Sequence, residues 1–161
     1  MLNTKFVINS IEREKEIVDM VNKNINFFRT NRIVFTFPEK TVEEEYDIKK
    51  HENYKEWLET EWAKRENEFT ERLLFLFNKS IELQFTVEIS NYGPLGFYNT
   101  NTNTVTINLN TKLDVISTIK HEMIHIILEP FIRKYQIEHA RKEFIIDTIL
   151  KILDTQVNST T

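Results

Sequence analysis

The chain has 161 residues, 40% of them apolar, and a net charge of −4. That fits one domain with a real core and leaves no basic footprint for nucleic acid or an anionic membrane. Cysteine is absent, which excludes disulfides, thiolate metal sites and cysteine nucleophiles. With 2 glycines and 3 prolines it does not read as loop-rich, disordered or many-turned all-β.

The first ten residues, Met1 to Ser10, lack the apolar core and small-residue cleavage site of a signal peptide. No apolar run approaches the ~18 residues of a membrane span, so a cytoplasmic protein is expected. Ile11 to about Phe28 reads as a helix capped by Ser10, with Ile17, Val18, Val21 and Ile25 as its apolar stripe. Arg32 to Phe37 is β-branched and aromatic, stops at Pro38, and reads as a strand. Thr41 and Glu44 have capping-box spacing and open a helix. The densely charged stretch Glu43 to Glu71 reads as a solvated helix face, with His51 exposed and outside any site. Trp57, Leu58, Trp62, Phe69, Leu73 and Phe75 to Phe77 give that region an apolar side to lay over a sheet.

Leu83 to Ile89 alternates as a strand. Both glycines of the chain, Gly93 and Gly96, follow within four residues, and glycine permits close backbone approach. The polar turn Asn99 to Asn103 joins Gly96-Phe97-Tyr98 to a second alternating run, Thr104 to Leu109, as a hairpin. Next comes a helix capped at Asn110 or Thr111 and expected to end near Glu129-Pro130.

That helix carries His121-Glu122-Met123-Ile124-His125. Positions i and i+4 share a helix face, so two imidazoles point at one place, and Glu122 lies about 100° further round. Two neutral imidazoles suit zinc, and the adjacent carboxylate can take a proton from metal-activated water. Ile116, Ile119, Ile124 and Ile127 make the surroundings apolar, where unpaired imidazoles would be costly. A catalytic zinc wants a third protein ligand. Phe131 to Leu153 reads as one further helix, on which Tyr135, His139, Glu143 and Asp147 recur every four residues as a polar stripe. A tight hairpin about Pro130 would set His121 against Glu138 or His139, whereas an oblique crossing or a longer loop would bring Glu143. The alternative for the stripe is an exposed face shared with Arg133, Lys134 and Lys142.

The His-Glu-x-x-His segment resembles the signature of the zincin metallopeptidases. Glu143 with Asp147 one turn on is similar to the gluzincin pattern, and the small size is similar to the minigluzincins. The Gly96-Phe97-Tyr98 hairpin before the helix is similar to ImmA/IrrE-type peptidases. The resemblance implies an α+β, zincin-like fold: a small twisted mixed sheet, a backing helix, the His-Glu-x-x-His helix and a C-terminal glutamate helix, as a single domain. It implies a zinc-dependent endopeptidase with one Zn2+ held by His121, His125 and Glu143, and with Glu122 as general base. Asp147 would orient His121. His139 or Tyr135, with Tyr98 as a third choice, would stabilise the transition state, and Gly96, Phe97 and Tyr98 would bind a peptide or protein substrate by strand addition. The competing reading is a non-catalytic or latent protein of the same fold, in which the tail from Asp154 to Thr161 could lie over the cleft or simply fray. No direct nucleic-acid or membrane partner is expected.

Overall fold

Period-two alternation builds the sheet, and the apolar faces of four helices close over it. The computed structural model describes residues 2–77, 83–110 and 114–155; Thr111 and the tail beyond Thr155 lie outside them. Along the chain run β1 (Leu2–Ile8), α1 (Ile11–Lys23), α2 (Ile25–Thr30), β2 (Phe35–Thr36), α3 (Val42–Glu45), α4 (Ile48–Ala63) and α5 (Glu66–Phe77). There follow β3 (Leu83–Ser90), β4 (Gly93–Pro94), β5 (Gly96–Asn99), β6 (Thr104–Asn108), α6 (Val115–Lys134) and α7 (His139–Thr155).

The main sheet has the order β1-β3-β6-β5. β1, β3 and β6 are parallel, and β5 closes one edge antiparallel to β6. The fold is therefore α+β with a small mixed sheet. Register aligns Phe6 with Val87, Val87 with Val105 and Ile89 with Ile107. These side chains form one buried face, packed by Leu58 and Trp62 of α4, Phe69 and Leu73 of α5, Ile119, Met123 and Ile124 of α6, and Ile146 of α7. Each such burial contributes roughly 1.5–3 kcal/mol. The opposite face is polar where α1 crosses it. There Arg13 grips Glu88 with two hydrogen bonds, at 2.6 and 3.1 Å, and Thr106 Oγ1 donates to the same carboxylate at 2.7 Å.

Several expectations are corrected. The first helix is two, α1 and α2, divided at Asn24, and Arg32 follows the cap of α2 in the left-handed region (φ 55). The strand read over Arg32 to Phe37 shrinks to Phe35–Thr36, paired with Gly93–Pro94, because the chain is still leaving α2 at Ile33, whose N–H bonds the Phe28 carbonyl. The Thr41 capping box forms, but its helix stops after four residues. β1 is a strand that the sequence reading did not assign.

His51 is buried rather than exposed, at 1%. Its Nδ1 lies 2.8 Å from the Asp47 carbonyl and its Nε2 3.1 Å from Glu14 Oε1. Glu14, also buried, accepts from Ser90 Oγ at 2.6 Å and from the Asn91 N–H at 2.8 Å. This hub ties α1, α4 and the end of β3 together. Both His51 nitrogens face acceptors, so the ring binds its second proton readily. Burial opposes that charge, and Glu14 and the Asp47 carbonyl together outweigh it, so the His51 pKa is raised above its usual value. A raised folded-state pKa gives stability that is complete below about pH 6.5 and is lost as pH rises through the folded pKa. The denaturation midpoint of the wild type should therefore fall from pH 6 upward towards that of His51→Gln, whose midpoint is flatter. A constant gap between the two would show that the pair carries no extra proton.

Candidate metal centre

Helix α6 starts at Asp114, not at Asn110 or Thr111. The Asp114 carboxylate accepts from the N–H groups of Ile116 at 3.0 Å and Ser117 at 3.3 Å. The helix also runs through Pro130 to Lys134, past its expected stop. Its stop is formed by Tyr135 as C-cap and by Gln136, which takes φ 49. There the Ile137 N–H reaches the Ile132 carbonyl at 3.1 Å and the Gln136 N–H reaches Arg133 at 3.2 Å, the two bonds of a Schellman stop. The chain reverses over Tyr135 to Glu138, and α7 begins at His139. This later turn carries the partner of His121 past Glu138 and His139 to Glu143.

Three side chains converge there. His121 Nε2 and His125 Nε2 are 3.0 Å apart. Glu143 straddles them, with Oε2 3.1 Å from His121 Nε2 and Oε1 3.2 Å from His125 Nε2. A tetrahedral ion with bonds of about 2.0–2.1 Å sets its ligand atoms about 3.3 Å apart, so these spacings are close to those of a formed site. Among the described residues, these three are the one cluster whose donor atoms meet closely enough to hold a metal ion. Asp147 Oδ1 lies 3.3 Å from His121 Nδ1, which leaves Nε2 of that ring for a ligand. His125 is set differently. Its Nδ1 is buried without a hydrogen-bond partner among the described residues, and its ring stacks on Tyr98 at 4.7 Å and 11°.

The remaining sequence candidates divide. Glu122 is 8% exposed, and burial pushes its pKa up to about 7, with Glu143 adding and His121 opposing. It lies against β5 at Gly96, where a Cβ would come within 2.6 Å of Thr118 Cγ2 and 3.1 Å of Glu122 Oε1. Glycine is thus what lets α6 approach the edge strand. Gly96, Phe97, Tyr98 and His139 line one cavity of about 440 Å3 with His121, Glu122, His125 and Glu143. His139 Nδ1 stands 3.9 Å from Glu143 Oε1, and its ring packs edge-on against Phe27 at 5.6 Å. Tyr135 is corrected: it caps α6, is 58% exposed, and does not share the α7 stripe, because the reversal falls between it and His139.

The sequence reading missed Lys142, Glu129 and Phe27. Lys142 Nζ donates to Tyr98 Oη at 3.1 Å, and that hydroxyl donates to Glu129 Oε2 at 3.2 Å. The spacing of Lys142 three residues after His139 puts both on one helix side, a signal available in the sequence. Phe27 arrives from α2, a distant segment, and nothing local marks it.

Charge in the site is redistributed by these contacts. Burial opposes ionisation of Glu143, but hydrogen bonds from both histidines outweigh it and hold its carboxyl far below the usual carboxylate range. Burial likewise opposes protonation of His121, and Glu143, Glu122 and Asp147 together outweigh it, so that pKa is raised. His125 is lowered, mainly by burial. Comparison of the chain with protein-family models, with curated proteins and with solved structures finds no match.

A divalent ion that binds these three groups should raise the melting temperature, since a ligand at 100 times its Kd adds about 2.7 kcal/mol. His125→Ala and Glu143→Ala should abolish that rise, and binding should tighten from pH 6 to pH 8 as the His121 proton leaves. An equal rise in the variants would place the ion elsewhere. In the metal-free protein the raised Glu122 pKa costs stability once the unfolded carboxylate ionises. Glu122→Gln should therefore be more stable than the wild type by a margin that opens from about pH 4.5 and levels near pH 7 at roughly 3 kcal/mol. Chemical denaturation across that range reads the margin, and its absence at pH 8 would show an ordinary Glu122.

Proposed function

We propose that this protein is a zinc-dependent endopeptidase of zincin-like architecture. The observation that carries the reading is the meeting of His121 Nε2, His125 Nε2 and the Glu143 carboxylate within 3.0–3.2 Å of one another, with Glu122 in the same cavity. Two imidazoles and one carboxylate, without thiolate, are the donor set of catalytic zinc sites. When bound, zinc supplies a Lewis acid that polarises a carbonyl and lowers the pKa of water to near ~7.

The chain's own residues supply the rest. Glu122, held in a low-dielectric wall, takes a proton from the attacking water and later gives it to the leaving amine as the C–N bond breaks. Asp147 fixes the tautomer of His121. Among the described residues β5 is paired on one side only, to β6, and its other side can accept an extended peptide by main-chain pairing. A further cavity of about 590 Å3, which His121 and Glu122 also line, extends the groove past Gly96 towards Leu150. No described helix is long and apolar enough to cross a membrane, which is compatible with action on a protein or peptide in the cytoplasm.

Glu122→Gln separates the readings. It should retain one zinc per chain by elemental analysis while hydrolysis of a fluorogenic peptide library falls by about 10²–10⁴, whereas Glu143→Ala should lose the zinc as well. Undiminished hydrolysis by Glu122→Gln would remove the proposed base. A wild-type protein that holds zinc and cleaves nothing would favour a non-catalytic role.

A further inference from the structure

We propose that Lys142 is the oxyanion donor of this site, contacting the oxygen on which charge develops when a peptide carbonyl is attacked. The inference rests on the peptidase reading above. Three observations carry it. Lys142 is the one lysine or arginine among the described residues lining the cavity shared by His121, Glu122, His125 and Glu143. Its ammonium is held in place, with Nζ 3.1 Å from Tyr98 Oη and 5.6 Å from the centre of that ring, while the ring itself stacks on the proposed zinc ligand His125. And the Tyr98 hydroxyl gives its own proton to Glu129, so it accepts from Lys142 and is not the donor facing the cavity.

A lysine carries three N–H donors. One goes to Tyr98, and among the described residues no carboxylate lies within salt-bridge distance of Nζ. Two donors therefore remain for a substrate. Position supports this use. Glu122 packs against β5 at Gly96 and Lys142 reaches the phenol of Tyr98 on the same strand, so base and donor line one cavity. The alternatives are placed less well. His139 is turned to Glu143 and Phe27, and Tyr135 stands at the exposed end of α6.

In the step itself, the water oxygen bonds to the carbonyl carbon and the carbonyl π pair moves onto oxygen. Lys142 donates a hydrogen bond to that oxygen without transferring its proton. The water proton goes to Glu122 and from there to the amine nitrogen as the C–N bond breaks, which restores both side chains.

The test uses the full-length zinc-loaded protein and a fluorogenic peptide that the wild type cleaves. Lys142→Met should lower kcat by about 10²–10³ with KM nearly unchanged and with zinc content equal to the wild type. Affinity for a phosphinic peptide, which mimics the tetrahedral state, should fall in parallel with kcat/KM. Lys142→Arg should recover part of the loss. An unchanged kcat would overturn the proposal. So would loss of zinc together with activity, which would make Lys142 a positioning residue acting through Tyr98 and His125. A rise in KM confined to peptides with a free terminal carboxylate would overturn it too, by making Lys142 an anchor. A wild type that cleaves no peptide would refute the peptidase reading itself and this inference with it, a result distinguishable because it appears before any variant is made.

Discussion

One carboxylate from α7 reaches two imidazoles of α6. The rest of the molecule is arranged around that contact. Glu143 stands 3.1 and 3.2 Å from rings set one helical turn apart, and it can do so only because α6 runs four residues past Pro130 before the chain reverses. Proline inside a helix forfeits one backbone hydrogen bond and crowds the carbonyl four residues back, at a cost of about 3 kcal/mol. Burial of Ile124, Ile126 and Ile132 on the same helix offsets that cost. The sheet holds the other wall. β5 lies beside α6 at Gly96, where any side chain would collide with Thr118 and Glu122, so the edge strand and the helix of the two histidines share one groove.

Within that groove four ionisable groups are pushed in different directions. Hydrogen bonds keep Glu143 ionised, and with His121 protonated they form a pair that a divalent ion can replace. Burial keeps His125 neutral and Glu122 easily protonated. Two carboxylates lining one cavity are thus pushed in opposite directions, Glu143 held ionised and Glu122 easily protonated. Environments that separate like groups in this way mark acid and base roles. Tyr98 belongs to both halves of the site, stacked on His125 and hydrogen-bonded to Lys142 and Glu129.

Much of this was legible in the sequence because helical spacing is local. His121 and His125 had to share a face, and the four-residue step from Glu143 to Asp147 put both carboxylates on one line. β3 and β6 announced themselves by alternation, and β5 by the glycine-bearing run and polar turn that lead into β6. What stayed hidden depends on partners far along the chain or on helix stops without glycine. Gln136 adopts positive φ after a helix, where glycine would have been the expected sign, so α6 ended at an unforeseen place and Pro130 was taken for a stop. His51 looked exposed because its neighbours are charged, yet it faces Glu14 across 37 residues of chain. β1 reads as an unremarkable N-terminus until it is paired with β3. Lys142 looked like a surface charge because Tyr98, its partner, lies 44 residues earlier.

The most direct measurement is diffraction from a zinc-loaded crystal on both sides of the zinc absorption edge. A single anomalous peak about 2.0–2.2 Å from His121 Nε2, His125 Nε2 and a Glu143 oxygen is the result expected from this geometry. A peak at other residues, or two imidazoles turned apart with no metal between them, would contradict it.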